Sequence, residues 1–245
     1  MPIDDAFARH DMAVLYDSFN RSGADSEFYL GLVDAPSRIL DLGCGTGALA
    51  IEYAQRGHQV TGLEPGAGML SVALGKQGSG SVRWVAGDAR EFDLSRRFDL
   101  IVMTGHVFQV FLDDDETHRV LANARRHLAA GGRLVFESRN PLHRAWESWT
   151  ENQTLSSADV PGIGDVDVYY QTTRTWDEFV TFDAVFTLKS TGERLISEST
   201  LRFPDPQTIA QLLHDSGFGQ IDWIGDWDGS AFSDDSPEII VIATA

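Results

Sequence analysis

The chain has 245 residues, 42% of them hydrophobic and 23% charged, an ordinary globular composition with enough length to bury a full core. Its 37 acidic residues against 19 basic ones give a formal net charge of −18. That balance argues against nucleic acid, whose binders gather basic patches over phosphates, and against an anionic membrane surface. A neutral or cationic small molecule is easier to admit, although acidity also serves solubility.

Cys44 is the single cysteine, which excludes an intrachain disulfide. No apolar run approaches the roughly 18 residues of a spanning helix. The segment Met1 to Met12 is polar and lacks the apolar core of a signal peptide, so a cytoplasmic protein is expected.

Residues 1–37 are expected to form a helical cap. Met12, Leu15, Tyr16 and Phe19 share one apolar face at helical spacing. Phe28, Tyr29, Leu32 and Val33 repeat the pattern until Pro36 stops it. An α/β rhythm follows over residues 38–139. Strands are expected at Arg38–Leu42, Gln59–Leu63, Val82–Ala86, Asp99–Met103 and Arg133–Glu137. Helices are expected at Ala48–Arg56, Gly66–Lys76 and Glu116–Ala129, with Gly57 and the Gly131-Gly132 pair as terminators. Alternating strands and helices imply parallel pairing with right-handed crossovers.

The rhythm changes after the fifth strand. Val166–Trp176, Phe179–Lys189 and Arg194–Phe203 alternate with a period near two, separated by short polar turns. Residues 140–204 are therefore expected to hold an antiparallel insertion of about three strands, serving as a lid or an interface, with a homodimer as one possible assembly. Over residues 205–245, Asp205 caps a helix that has Pro206 at its first position and Gly217 after its end. Two strands, Gly219–Ile224 and Glu238–Thr244, then close the chain as an antiparallel pair. The whole reads as one domain: a Rossmann-like α/β sheet of seven mostly parallel strands with an antiparallel last strand.

Ile39-Leu40-Asp41-Leu42-Gly43-Cys44-Gly45-Thr46-Gly47 carries the strongest chemical signal. Strand, glycine turn and helix form the opening unit of a nucleotide-binding sheet. Glycine spacing alone also admits a dinucleotide, so an NAD-dependent oxidoreductase stays open. Asp41 tilts the balance, because a pyrophosphate beside it would meet like-charge repulsion whereas an ammonium or sulfonium would not. Glu64 and Asp88 stand at the ends of the next two strands, where carboxylates can accept bonds from ribose hydroxyls and an adenine amino group.

Asp41 through Gly47 resembles the first motif of class I S-adenosylmethionine-dependent methyltransferases. Gly62-Leu63-Glu64-Pro65 with Met69-Leu70 resembles their second-strand acidic motif, and Gly87-Asp88-Ala89 their adenine motif. Phe98–Val102 and Leu128–Phe136 are similar to the fourth and fifth strands. The matches run in order over residues 38–139, and the small-molecule branch is the nearest likeness. The resemblance implies methyl transfer from S-adenosylmethionine to O, N or C of a small molecule by in-line displacement. A non-catalytic cofactor-binding protein on the same fold is the other alternative.

The resemblance also implies roles. Asp41 and the Gly43 backbone would hold the methionine amino group, within the turn that contains Gly45. Glu64 would bind ribose, with Pro65 and Met69 packed near ribose or adenine. Asp88 and the Ala89 amide would read adenine, and Thr104 would meet the methionine portion. Tyr16 would close over the cofactor, and Arg21 would reach its carboxylate. His106 is the candidate general base, or else a structural loop histidine. Gln109, Arg139, Asn140 and Trp146 are candidates for lining the acceptor site. Neither a metal-ligand spacing nor the Asn/Asp-Pro-Pro-Tyr run of nucleic-acid amino methylation is present.

Overall fold

In the computed structural model, which describes residues 5–20 and 23–245, three helices precede the first strand: α1 (Asp5–Ala8), α2 (His10–Phe19) and α3 (Ala24–Leu30). Arg21 lies outside the described residues. The core then runs β1 (Arg38–Leu42), α4 (Ala48–Gln55), β2 (Gln59–Glu64), α5 (Ala67–Gly75), β3 (Val82–Ala86), β4 (Phe98–Met103), α6 (Asp114–His127) and β5 (Leu128–Arg139). After α7 (Glu151–Thr154) come β6 (Ser156–Val160), β7 (Gly164–Trp176), β8 (Phe179–Leu188) and β9 (Arg194–Arg202). The chain ends with α8 (Pro206–Asp215), β10 (Gln220–Ile224) and β11 (Glu238–Thr244).

Seven strands form one sheet in the order β10-β11-β5-β4-β1-β2-β3. β1 to β5 pair parallel, and β11 alone is reversed, antiparallel to both β5 and β10. One sheet face buries Leu40, Leu42, Ile101 and Phe136 against α6 and α8; the other buries Ile39, Leu100, Val102 and Val135 against α3 and α4. Coverage on both faces explains why the strands read as nearly continuous apolar runs.

The boundaries of α6 and β5 differ most from expectation. α6 starts at Asp114 because Asp113 caps it, its side chain accepting from the Glu116 amide at 2.7 Å. It stops at His127, and β5 begins at once. Gly131 and Gly132 therefore lie inside the strand, where the pairing slips from Phe98–Leu128 to Leu100–Arg133. Glycines with this spacing mark an irregularity in a strand as readily as a helix end.

The insertion has four strands, ordered β6-β7-β8-β9. Its first, Ser-Ser-Ala-Asp-Val, buries only Val160, so backbone pairing to β7 rather than apolar alternation makes it a strand. Met12 and Leu15 of α2 are buried against Val166, Val168 and Phe186 of this sheet. The N-terminal cap and the insertion thus share a small core of their own.

α4 begins at Gly47, whose φ of +77° is the left-handed conformation that glycine adopts without strain. A Cβ there would overlap the ring of Trp84. Gly47→Ala is expected to lose about 2–4 kcal/mol of stability from strain and overpacking together. Urea unfolding checks this; a loss under about 0.5 kcal/mol would show that the turn relaxes freely.

Candidate active site

The carboxyl ends of β1 to β5 open into a cavity of about 590 Å³ roofed by α2 and the insertion sheet. This is the edge at which open α/β sheets bind ligands. Gly43, Gly45, Glu64, Pro65, Met69, Asp88, Ala89 and Thr104 all line it. The Gly43 and Cys44 amides donate to the Leu63 carbonyl at 2.8 and 3.1 Å, so the turn is welded to β2.

Glu64 is buried, and both carboxylate oxygens are held by backbone amides: Gly45 N–H donates at 3.0 Å and Gly66 N–H at 2.8 Å. Burial raises its pKa while these two donors pull it back. Asp88 accepts from the Arg90 Nε at 2.8 Å, and Arg90 also meets Glu116 at 2.6 Å. The Arg90 guanidinium holds the Asp88 carboxyl below its usual range.

Asp41 sits deeper than the wall. It is 1% exposed, and its Oδ1 has no hydrogen-bond partner among the described residues. Burial first, then Glu64 and Glu137, push its pKa up to about 7. A buried acid between two others, one oxygen unsatisfied, suits a cationic donor such as an ammonium. S-adenosylmethionine offers one on its methionine end, so the residues present fit that cofactor.

α2 closes over the same edge. Tyr16 lines the cavity, and burial pushes its hydroxyl up to about 12. Asp17 ties the helix to the glycine turn: its carboxylate accepts from the Thr46 hydroxyl at 2.5 Å and pairs with Lys76. This latch carried no periodic or motif signal in the sequence.

The candidates for acceptor lining divide. Arg139 faces the cavity. Gln109 does not: it is fully buried, its amide donates to the Arg202 carbonyl at 2.8 Å, and its oxygen takes the Arg139 Nη1 at 3.0 Å. Asn140 is also fully buried, donating to the Asp234 and Ser236 carbonyls at 3.0 and 2.7 Å. Trp146 packs edge-on against Phe203 behind the wall, and Trp149 takes the lining position. Polar residues near a strand end are as often used to fasten loops as to meet ligands, and only contacts separate the two uses. Trp227 from the acidic loop does reach the cavity, packed edge-on against Phe28 and tilted against Tyr29.

His106 borders the cavity from a strained turn with φ of +61°. Its Nε2 lies 3.1 Å from Glu238, and its backbone N–H donates to Glu137 Oε1 at 2.6 Å. Burial, then the neighbouring Arg139, lower its pKa to about 3. A ring so hard to protonate is a weak proton acceptor, which counts against the general-base role.

Glu137 is the residue the motif reading passed over. It lies two residues before the end of β5, is 1% exposed, and lines the cavity. Tyr29 donates its hydroxyl to Oε2 while the His106 amide holds Oε1, so the carboxylate is oriented from both sides. Burial raises its pKa. Its position near a strand end was the available signal.

Residues 39–132 match the family model of the methyltransferase domain. Over that stretch the chain resembles a class I methyltransferase domain. Among curated proteins, a cypemycin N-terminal methyltransferase of a Streptomyces species is 29% identical over 42% of this chain. A dTDP-4-amino-2,3,4,6-tetradeoxy-D-glucose N,N-dimethyltransferase of Saccharopolyspora spinosa is 34% identical over 40%. The chain spans 42% and 39% of the lengths of these two relatives. The CcbJ methyltransferase of Streptomyces caelestis superposes with a TM-score of 0.80 at 18% identity, over 98% of both chains. The sugar N-methyltransferase KedS8 of a Streptoalloteichus species gives 0.76 at 17%, over 100% of this chain and 94% of its own. These structures share the methyltransferase fold with the insertion included, since the superpositions span nearly the whole chain. The domain family uses S-adenosylmethionine. No helix among the described residues is long and apolar enough to cross a membrane.

Proposed function

We propose that the protein transfers a methyl group from S-adenosylmethionine to the nitrogen of a small-molecule amine. The observation that carries this reading is the buried, doubly braced carboxylate of Glu137 in a cavity that also contains Trp149, Tyr170 and Trp227. A carboxylate ringed by aromatics favours a cationic amine. Two curated relatives are named as an N-terminal methyltransferase and an N,N-dimethyltransferase and others as C- or O-methyltransferases, so the choice of nitrogen rests on the cavity itself.

When bound, the cofactor supplies an activated methyl group on sulfonium sulfur. Asp41 and the Gly43 backbone would hold its ammonium end, Glu64 its ribose hydroxyls, and Asp88 with the Ala89 amide its adenine. Tyr16, tied down through Asp17, excludes water from above. Glu137 orients the acceptor and takes the proton its ammonium must lose before the lone pair can attack. With the acceptor nitrogen held and deprotonated by Glu137, its lone pair would be free to take the methyl group the cofactor would supply. Positioning the two reactants can supply about 7–11 kcal/mol of the barrier reduction.

Calorimetry is expected to show S-adenosylmethionine and S-adenosylhomocysteine binding without NADH binding. NADH binding with neither sulfur ligand would replace this reading with the oxidoreductase alternative.

A further inference from the structure

Two residues beyond Glu137 on the same strand, Arg139 shares its side of the sheet and borders the same cavity. Its guanidinium is positioned before any ligand arrives. Nη1 donates to the Gln109 side-chain oxygen at 3.0 Å, and the Trp149 ring lies under it with its centroid 5.2 Å away. Gln109 is itself locked by its bond to the Arg202 carbonyl. Nε and Nη2 have no hydrogen-bond partner among the described residues, and no carboxylate among them stands within ion-pair distance. Glu137 and Glu238 act on Arg139 only through space, and burial holds its pKa below the usual value.

A fixed guanidinium fork with two open N–H groups is a receptor for a planar or tetrahedral oxyanion. Its place in the sheet matters as much as its charge. The residues fitted to the cofactor lie at the ends of β1, β2, β3 and β4. Arg139 lies on β5 and borders the cavity together with Trp149, Tyr170 and Phe182 of the insertion. On the amine-methylation reading above, Glu137 and Arg139 stand about 6–7 Å apart along the strand as a carboxylate and a cation.

We propose that the methyl acceptor is zwitterionic, presenting its amine to Glu137 and an oxyanion, carboxylate or phosphate, to Arg139. The fork selects among amines those that carry the anion a few bonds from the nitrogen. Arg139 is thereby a specificity-determining residue.

The test uses the full-length protein saturated with S-adenosylhomocysteine and follows the Arg139 Nε–H resonance by nitrogen-15 NMR. Sodium acetate and inorganic phosphate are titrated separately, and the anion that moves the resonance saturably identifies the preferred oxyanion. β-Alanine is expected to bind at least about tenfold more tightly than either acetate or ethylamine, since it engages both charges. Arg139→Gln should abolish its advantage over ethylamine, and Glu137→Gln its advantage over acetate. Arg139→Lys, which keeps the charge, guards against a folding defect and should retain part of the first advantage. Calorimetry separates the two levels of the argument. Failure of S-adenosylhomocysteine to bind overturns the methyltransferase reading. Normal binding of it, with no saturable shift from acetate, phosphate or β-alanine, overturns the Arg139 assignment alone. Weakened S-adenosylhomocysteine binding in Arg139→Gln would assign the fork to the cofactor instead and overturn the proposal as well.

Discussion

Glu64→Ala is expected to weaken S-adenosylhomocysteine binding by about 2–4 kcal/mol, roughly 30- to 800-fold. The size follows from two roles meeting on one carboxylate. Toward the cofactor it offers acceptors for ribose hydroxyls. Toward the protein it takes the Gly45 and Gly66 amides at 3.0 and 2.8 Å, which fixes the glycine turn against the start of α5. Alanine leaves the buried Gly66 donor and the part-buried Gly45 donor without this partner and frees the turn. Glutamine is not a rescue, because its amide nitrogen would be set against one of the same two N–H groups. Calorimetry on the folded variant measures the loss. An affinity within a few-fold of wild type would refute the assignment.

Asp41→Asn is expected to move stability and affinity in opposite directions. In the free protein the Asp41 carboxyl titrates near 7, raised from its ordinary value by burial and by Glu64 and Glu137. The unfolded chain titrates near 3.9. Between these values the folded state holds a proton that the unfolded state has lost, so stability falls as pH rises through the window. Asparagine removes that dependence. The variant should be more stable than wild type at pH 8, by at most about 4 kcal/mol, and the gap should close toward pH 4. It should also bind S-adenosylmethionine more weakly, because a neutral amide offers an ammonium less than a carboxylate does. Urea midpoints from pH 5 to 8, with calorimetry beside them, check both halves. A variant that is less stable at pH 8, or that keeps the wild-type pH slope, would show that Asp41 is satisfied without the cofactor.

This pairing also explains why the free site is strained. Asp41, Glu64 and Glu137 are 1%, 6% and 1% exposed, and each is pushed toward its neutral form by burial. Three crowded acids are costly alone and favourable around a cation. A ligand carrying both ammonium and sulfonium charge relieves that cost, and the net charge of −18 raises no barrier to its approach.

The linear chain determined a good deal. Buried parallel strands require nearly continuous apolar runs, and glycines at alternate positions after such a run leave little choice but a turn against a ligand. The succession of strands and helices along the chain, the reversed β11, the capped helix at Asp205 and the acids at strand ends were legible for that reason, because each rests on local chemistry within a few residues. Glu137 was equally legible by the strand-end rule.

Tertiary structure decided the rest. β6 exists because β7 pairs with it, and no pattern of its own announces it. Gln109, Asn140 and Trp146 have the composition of a binding wall, yet their partners are carbonyls and rings up to 96 residues away, and those contacts turn them into fasteners. His106 has the right residue type at the right strand end, but burial and the nearby Arg139 lower its basicity. Arg139 gained its meaning from Gln109 and Trp149, which orient it and leave two donors open. Residue type and spacing determine which chemistry a chain can hold near its cofactor. Which charges remain unpaired, and therefore what the acceptor must look like, depends on contacts between segments far apart in sequence, and those exist only once the fold has formed.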